Sequence, residues 1–104
     1  MRELLDDLEQ ALTDLMQTGF ATAGAGAVKR FGELSDRCEG TGLHTGGTLF
    51  KQIGELLNRR LHTLEKTDLE LTAAVCRAEY YITLCRERLT EDSIRERWQE
   101  GGTT

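Results

Sequence analysis

The stretch Thr48-Leu-Phe-Lys-Gln-Ile-Gly-Glu-Leu-Leu-Asn-Arg-Arg-Leu-His-Thr-Leu64 decides the fold. Leu49, Phe50, Ile53, Leu56, Leu57, Leu61 and Leu64 recur every three or four residues. At about 100° per residue they form one broad apolar stripe, with Lys51, Glu55 and Asn58 on the other side. That pattern is an amphipathic helix, and Thr45 just upstream has the side chain to cap its N-terminus.

Working outward, the same period appears on both sides. Upstream, Ala27, Phe31, Leu34 and Cys38 take one face of a helix and Lys29, Arg30, Glu33, Asp36 and Arg37 the other, with Gly40 and Gly42 as its stop. Before it lies a small-residue connection, Phe20 to Gly26. Farther upstream Leu4, Leu5, Leu8, Leu12, Leu15 and Met16 make the stripe of a first helix that Gly19 ends. Downstream, Thr67 and Glu70 have the Thr-x-x-Glu spacing of a capping box and open a fourth helix that runs to about Leu89. Thr90, followed by Glu91 and Asp92, then predicts a restart as a short fifth helix with Ile94 and Trp98 one turn apart. The chain has no proline, and Leu, Glu, Arg and Ala are abundant, so propensity agrees with periodicity. The expected fold is all-α: an antiparallel four-helix bundle with a short fifth C-terminal helix, one domain over residues 1–100 and a disordered tail over 101–104.

A chain of 104 residues has room for a single domain and a limited core, which makes association an effective way to bury more surface. The formal charge of -5, from 13 Lys and Arg against 18 Asp and Glu, argues against nucleic acid as a partner, because a phosphate backbone calls for a basic face. The uncharged stretch from Thr18 to Val28 is too short to span a bilayer, and the N-terminus is acidic where a signal peptide is basic, so no membrane role and a cytoplasmic location are expected. Cys38, Cys76 and Cys85 are odd in number and lack paired short spacing, which predicts reduced thiols.

The fourth helix differs from the others. Leu69, Ala73, Cys76, Tyr80 and Leu84 project to one side, and Ala74, Ala78, Tyr81, Ile82, Cys85 and Leu89 to the opposite side. A helix apolar on opposite faces must be covered on both, by its own bundle or by a partner. Ala74 and Ala78 are small and four apart, and Tyr81 is a large amphipathic anchor of the kind enriched at interfaces. The expectation is a protein partner or a homo-oligomer formed through Ala74, Ala78, Tyr81, Cys85 and Leu89, with the central helix of a monomeric bundle as the alternative.

Residues that could carry chemistry are few. Gly42 and Gly47 have the G-x-x-x-x-G spacing of a phosphate-binding loop, but Thr48 stands where the lysine would be and a helix, not a strand, precedes the loop. A weak anion site at that helix N-terminus, helped by His44, stays open beside an ordinary helix stop and restart. His62 projects to the polar side of its helix, where it should be exposed. Arg60 falls at the centre of the apolar stripe, where it must snorkel or pair with an acid such as Glu79. Cys76 and Cys85 are nine apart on one helix, on opposite sides, and cannot share a metal ion; Cys38 with His44 makes only two ligands. No metal, no cofactor and no catalytic residue is therefore expected, and the protein reads as a non-enzyme.

Two resemblances add to this. Leu61-His62-Thr63-Leu64-Glu65-Lys66 is similar to the motif of histidine phosphotransfer domains, helical bundles in which an exposed histidine accepts a phosphoryl group. The Lys and Gly that follow the histidine in that family are replaced here by Glu65 and Lys66, and an acid beside a phosphoryl group is unfavourable. The stretch from Phe31 to Leu57, with Phe31-x-x-Leu34 and Cys38-Glu39-Gly40-Thr41-Gly42-Leu43-His44-Thr45-Gly46, resembles small helical bacterial proteins that accompany SWIM zinc-finger proteins. That resemblance implies an accessory or adaptor role, and the zinc-finger ligands themselves are absent from this sequence.

Overall fold

The computed structural model describes residues 2–20, 23–62 and 68–102, with the backbone alone described for Asp68 and for 92–102. Among the described residues there are four helices and no strand: α1 (Arg2–Thr18), α2 (Ala25–Gly40), α3 (His44–His62) and α4 (Asp68–Gly102).

Helix α1 buries Leu4, Leu5, Leu8, Ala11, Leu12 and Leu15, the stripe its period predicts. Met16, grouped with that stripe on sequence, is instead 51% exposed. It lies at the stripe's border in the last turn, where little of the chain is left to cover it. Gly19 takes a positive φ of 87° and its N–H bonds the Leu15 carbonyl at 2.8 Å, a helix stop that a side chain would strain. Helix α2 ends in the same way: Gly42 has φ 86° and the Leu43 N–H returns to the Cys38 carbonyl at 2.8 Å. Thr45 was expected to cap α3, but the helix already begins at His44.

Helices α2 and α3 are joined most closely. The rings of Phe31 and Phe50 stack with centroids 5.6 Å apart, and both are buried. Beside them the buried Ser35 hydroxyl donates to the Gly47 carbonyl at 2.7 Å, so a polar atom enters the interface with its hydrogen bond made. Gly54 lets the α2 backbone approach at Val28. Of the apolar stripe of α3, Phe50, Ile53 and Leu57 are buried, with Leu49 and Leu56 partly covered; Leu61 is 44% exposed and Leu64 lies outside the described residues.

The helices contact one another in the cyclic order α1, α2, α3, α4 and back to α1. Among the described residues the Cα atoms of α2 and α4, and those of α1 and α3, nowhere come within 8 Å. Helix α1 is fastened along both edges by ion pairs. Arg30 meets Asp14 at 2.7 Å and Arg37 meets Asp7 at 2.8 Å from α2, and Arg86 of α4 reaches Asp6 at 2.8 Å and Glu9 at 2.5 Å. Exposed pairs of this kind are screened by water and contribute little to stability, so they set register more than they hold the fold.

The expected fifth helix is absent as a separate element, because α4 is one helix of 35 residues through Thr90 to Gly102. Thr90 does not cap a new start: its hydroxyl donates to the Arg86 carbonyl at 3.0 Å, one turn back in the same helix. No glycine or proline near it interrupts the backbone ladder. The Thr67–Glu70 capping box involves a residue outside the described set, as do Thr103 and Thr104 of the expected tail, whereas Gly101 and Gly102 belong to α4.

Candidate contact surface and its surroundings

The core decides which of the two apolar faces of α4 turns inward. Leu71, Ala74, Val75, Ala78 and Ile82 are all buried in the core shared with the other helices. Cys85 and Leu89 pack against that core and are partly buried. The face expected to receive a partner through Ala74, Ala78, Tyr81, Cys85 and Leu89 is thus the face this chain covers itself. The helices that α4 contacts are α1 and α3, and small side chains such as Ala74 and Ala78 suit close helix packing.

Tyr81 joins that inward set. Its ring lies over Gly46 of α3, where a β-carbon would stand 2.7 Å from Cε1. Burial pushes the phenol up to about 12, the Cys85 thiol adds to the shift, and the Gly46 backbone opposes it. Cys38 is buried and its thiol is likewise raised by burial. Cys38 and Cys85 belong to α2 and α4, so their Cα atoms are farther apart than the roughly 7 Å limit for a disulfide.

The opposite face is open. Leu69 is 86% exposed, Tyr80 67% and Leu84 44%, and Ala73 and Cys76 between them are exposed too. They fall at the spacing of one helix side, so they make a continuous apolar strip rather than scattered residues. Arg77 and Arg88 border it, exposed and, among the described residues, without an ion-pair partner. Both faces were legible in the sequence; which one faces solvent was not.

The two histidines lie away from this strip. His44 is exposed at the start of α3 and its Nδ1 is hydrogen-bonded to the Glu39 carboxylate. Glu39 also lies against Gly47, with Oε1 2.6 Å from where a β-carbon would be. The first turn of α3 therefore already faces a carboxylate of this chain, which favours the positive helix end and repels an incoming anion. His62 is exposed at the last position of α3, and its Nδ1 donates to the Asn58 carbonyl at 2.8 Å. Glu65 and Lys66, the departures from the phosphotransfer motif, lie outside the described residues. Arg60 is half-buried, as a side chain lying along the edge of an apolar stripe would be.

An open groove of about 690 Å³ runs between α2 and α3, edged by Asp36, Glu39, Lys51 and Glu55. A second, of about 360 Å³, lies between α3 and α4 and is lined by Leu56, Arg59, Glu70, Ala73 and Arg77. Among the described residues no three His, Cys, Asp or Glu side chains converge on a metal position, and no helix is long and apolar enough to cross a membrane. Comparison of the chain with models of known protein families, with characterised proteins and with solved structures finds no match.

Proposed function

We propose that this protein is a non-enzymatic contact module, an adaptor or accessory bundle that works by presenting the outer face of α4. The supporting observation is the exposure of Leu69, Tyr80 and Leu84 in one strip of a helix whose other apolar face is already used by the core. Leaving that strip in water forfeits apolar burial of about 25 cal/mol per Å², an open demand that a second surface would meet. We read the ring of helix contacts as an antiparallel four-helix bundle in the cytoplasm. Arg30 with Asp14 and Arg37 with Asp7 run α2 against α1, and Tyr81 over Gly46 with Ala73 near Leu56 runs α4 against α3. An accessory role also agrees with the resemblance to the helical companions of SWIM zinc-finger proteins.

The test is photo-crosslinking in cells with benzoylphenylalanine in place of Tyr80, against the same group in place of Lys29, an exposed polar position on α2. A discrete adduct from position 80 and none from position 29 supports the reading. Equal patterns from the two positions would end it.

A second reading, phosphoryl transfer through His62, is favoured by the exposure of that side chain at the end of α3, held through its Nδ1 to the Asn58 carbonyl. Incubating the protein with a phosphodonor and a receiver domain should then label wild type and not His62→Gln. No acid-labile phosphate in either protein eliminates it.

A further inference from the structure

The outward face of α4 has a definite length. Leu69, Ala73, Cys76, Tyr80 and Leu84 are exposed and fall within about 80° of one another at 100° per residue. From Leu69 to Leu84 the strip runs roughly 22 Å, about four turns. Glu87 and Glu91, exposed on the same side, end it one turn after Leu84.

One edge of the strip is positive. Arg77 lines the groove between α3 and α4 together with Leu56, Arg59 and Ala73. Arg88 follows about three turns later on the same side of the helix. Arg30, Arg37 and Arg86 each meet an acid of another helix, whereas among the described residues Arg77 and Arg88, both exposed, meet none.

We infer that this surface receives an amphipathic helix of another protein, whose apolar side covers Leu69, Ala73, Tyr80 and Leu84 and whose carboxylates, about three turns apart along one edge, meet Arg77 and Arg88. This rests on the contact-module reading and names the chemistry of the partner. In a chain of net charge -5 an acidic partner is repelled by the surface at large, so two unpaired guanidinium groups beside an apolar strip fix where it lands. The small Ala73 and the groove beside it give a helix its seat, and apolar residues at helical spacing are the pattern such a seat reads. Beyond Arg88 the carboxylates of Glu87 and Glu91 repel further acids, which ends the footprint there.

Other occupants match the charges less well. If a second copy laid its strip antiparallel over this one, the midpoint would fall between Cys76 and Arg77, and each Arg77 would meet its own counterpart. In a parallel pair Arg77, Arg88, Glu87 and Glu91 would each meet themselves. An anionic bilayer would have to accept Glu87 and Glu91 at its surface. An acidic helix meets none of these conflicts along the strip itself.

The test uses two labelled peptides of about 18 residues, each an amphipathic helix with leucines along one side. One carries two glutamates eleven positions apart on the edge of that side, the other two lysines in their place. Fluorescence anisotropy at low salt should show wild type binding the glutamate peptide at least about tenfold more tightly, with the gap narrowing as salt is added. The double variant Arg77→Glu, Arg88→Glu should reverse the preference, and Tyr80→Glu should bind neither peptide. All these positions are exposed, so thermal melts should show each variant folded like wild type.

No binding of either peptide, equal binding of the two, or a preference that survives the double variant would each overturn the acidic partner. So would a wild-type dimer in sedimentation, or adsorption to phosphatidylglycerol vesicles, if Tyr80→Glu abolished it. Where the peptides fail and position 80 still crosslinks to a protein in cells, the contact-module reading stands without the acidic partner. Where position 80 crosslinks to nothing, both fall.

Discussion

The aromatic ring of Tyr81 occupies the space beside Gly46 that any other residue would need for its side chain. A β-carbon at Gly46 would stand 2.7 Å from Cε1, whereas one at Gly54 would touch Phe31 at an ordinary 3.5 Å. Both glycines have helical backbone in α3, Gly46 in its first turn and Gly54 in its middle, so alanine gains helix propensity at either and most at Gly54. The outcomes should differ in sign. Gly54→Ala should stabilise by up to about 1 kcal/mol, and Gly46→Ala should destabilise by about 1–2 kcal/mol because the ring must move. Urea unfolding of the two variants checks this, and a stabilised Gly46→Ala protein would count against the close contact.

The assignment of the two faces of α4 has a direct consequence for a single negative charge. Ala78→Glu places a carboxylate among Leu71, Val75 and Ile82 and should cost more than about 3 kcal/mol, enough to unfold a marginal domain. Tyr80→Glu, two residues on, should change monomer stability by less than about 0.5 kcal/mol. Thermal melts at low protein concentration separate these effects from association.

Tyr81 also makes stability depend on alkaline pH. Its phenol lies at about 12 in the folded chain against 10.0 ordinarily. Between those values the unfolded chain loses a proton that the folded one keeps, so rising pH favours unfolding. The contribution of Tyr81 is therefore complete below about pH 10 and is lost as pH climbs toward 12. The urea midpoint of wild type should fall more steeply over that range than that of Tyr81→Phe, and parallel curves would show that the buried phenol is not the cause.

The three thiols should report three environments. Cys76 is exposed, Cys85 half-buried and Cys38 buried with its thiol raised. Reaction with an aromatic disulfide reagent should label Cys76 fastest and Cys38 only through opening of the fold, with the order vanishing in denaturant. Fast labelling of Cys38 under native conditions would place it elsewhere.

Helix stops were the most legible part of the sequence. Gly19 and Gly42 each take the left-handed conformation that a helix end asks of glycine, and the stripes of α1 and α3 point inward except at their last turns, where Met16 and Leu61 are exposed. Two features were not legible, for different reasons. Thr90 can cap a new helix or bond back to Arg86 within an old one, and only the continuing backbone distinguishes these. On α4 the period locates two apolar faces and carries no sign; the inward one is the face of Leu71, Ala74, Val75, Ala78 and Ile82 that joins the core. Ala74 and Ala78, expected on a contact face, are buried in this chain's own core.

The closed ring of helix contacts has a kinetic side. Its α2–α3 seam joins residues about a dozen apart, as with Ser35 and Gly47, while its α1–α4 seam is tied by Arg86 to Asp6 across 80 residues of chain. Closing the longer loop costs more entropy, so the hairpin of α2 and α3 should form early and the return of α4 to α1 should come last. The same seam should reopen first, through exposed ion pairs and without disturbing the Phe31–Phe50 stack. Native-state hydrogen exchange should then find the amides of α1 opening at lower free energy than those around Phe50, and uniform protection would argue against a last-closed seam.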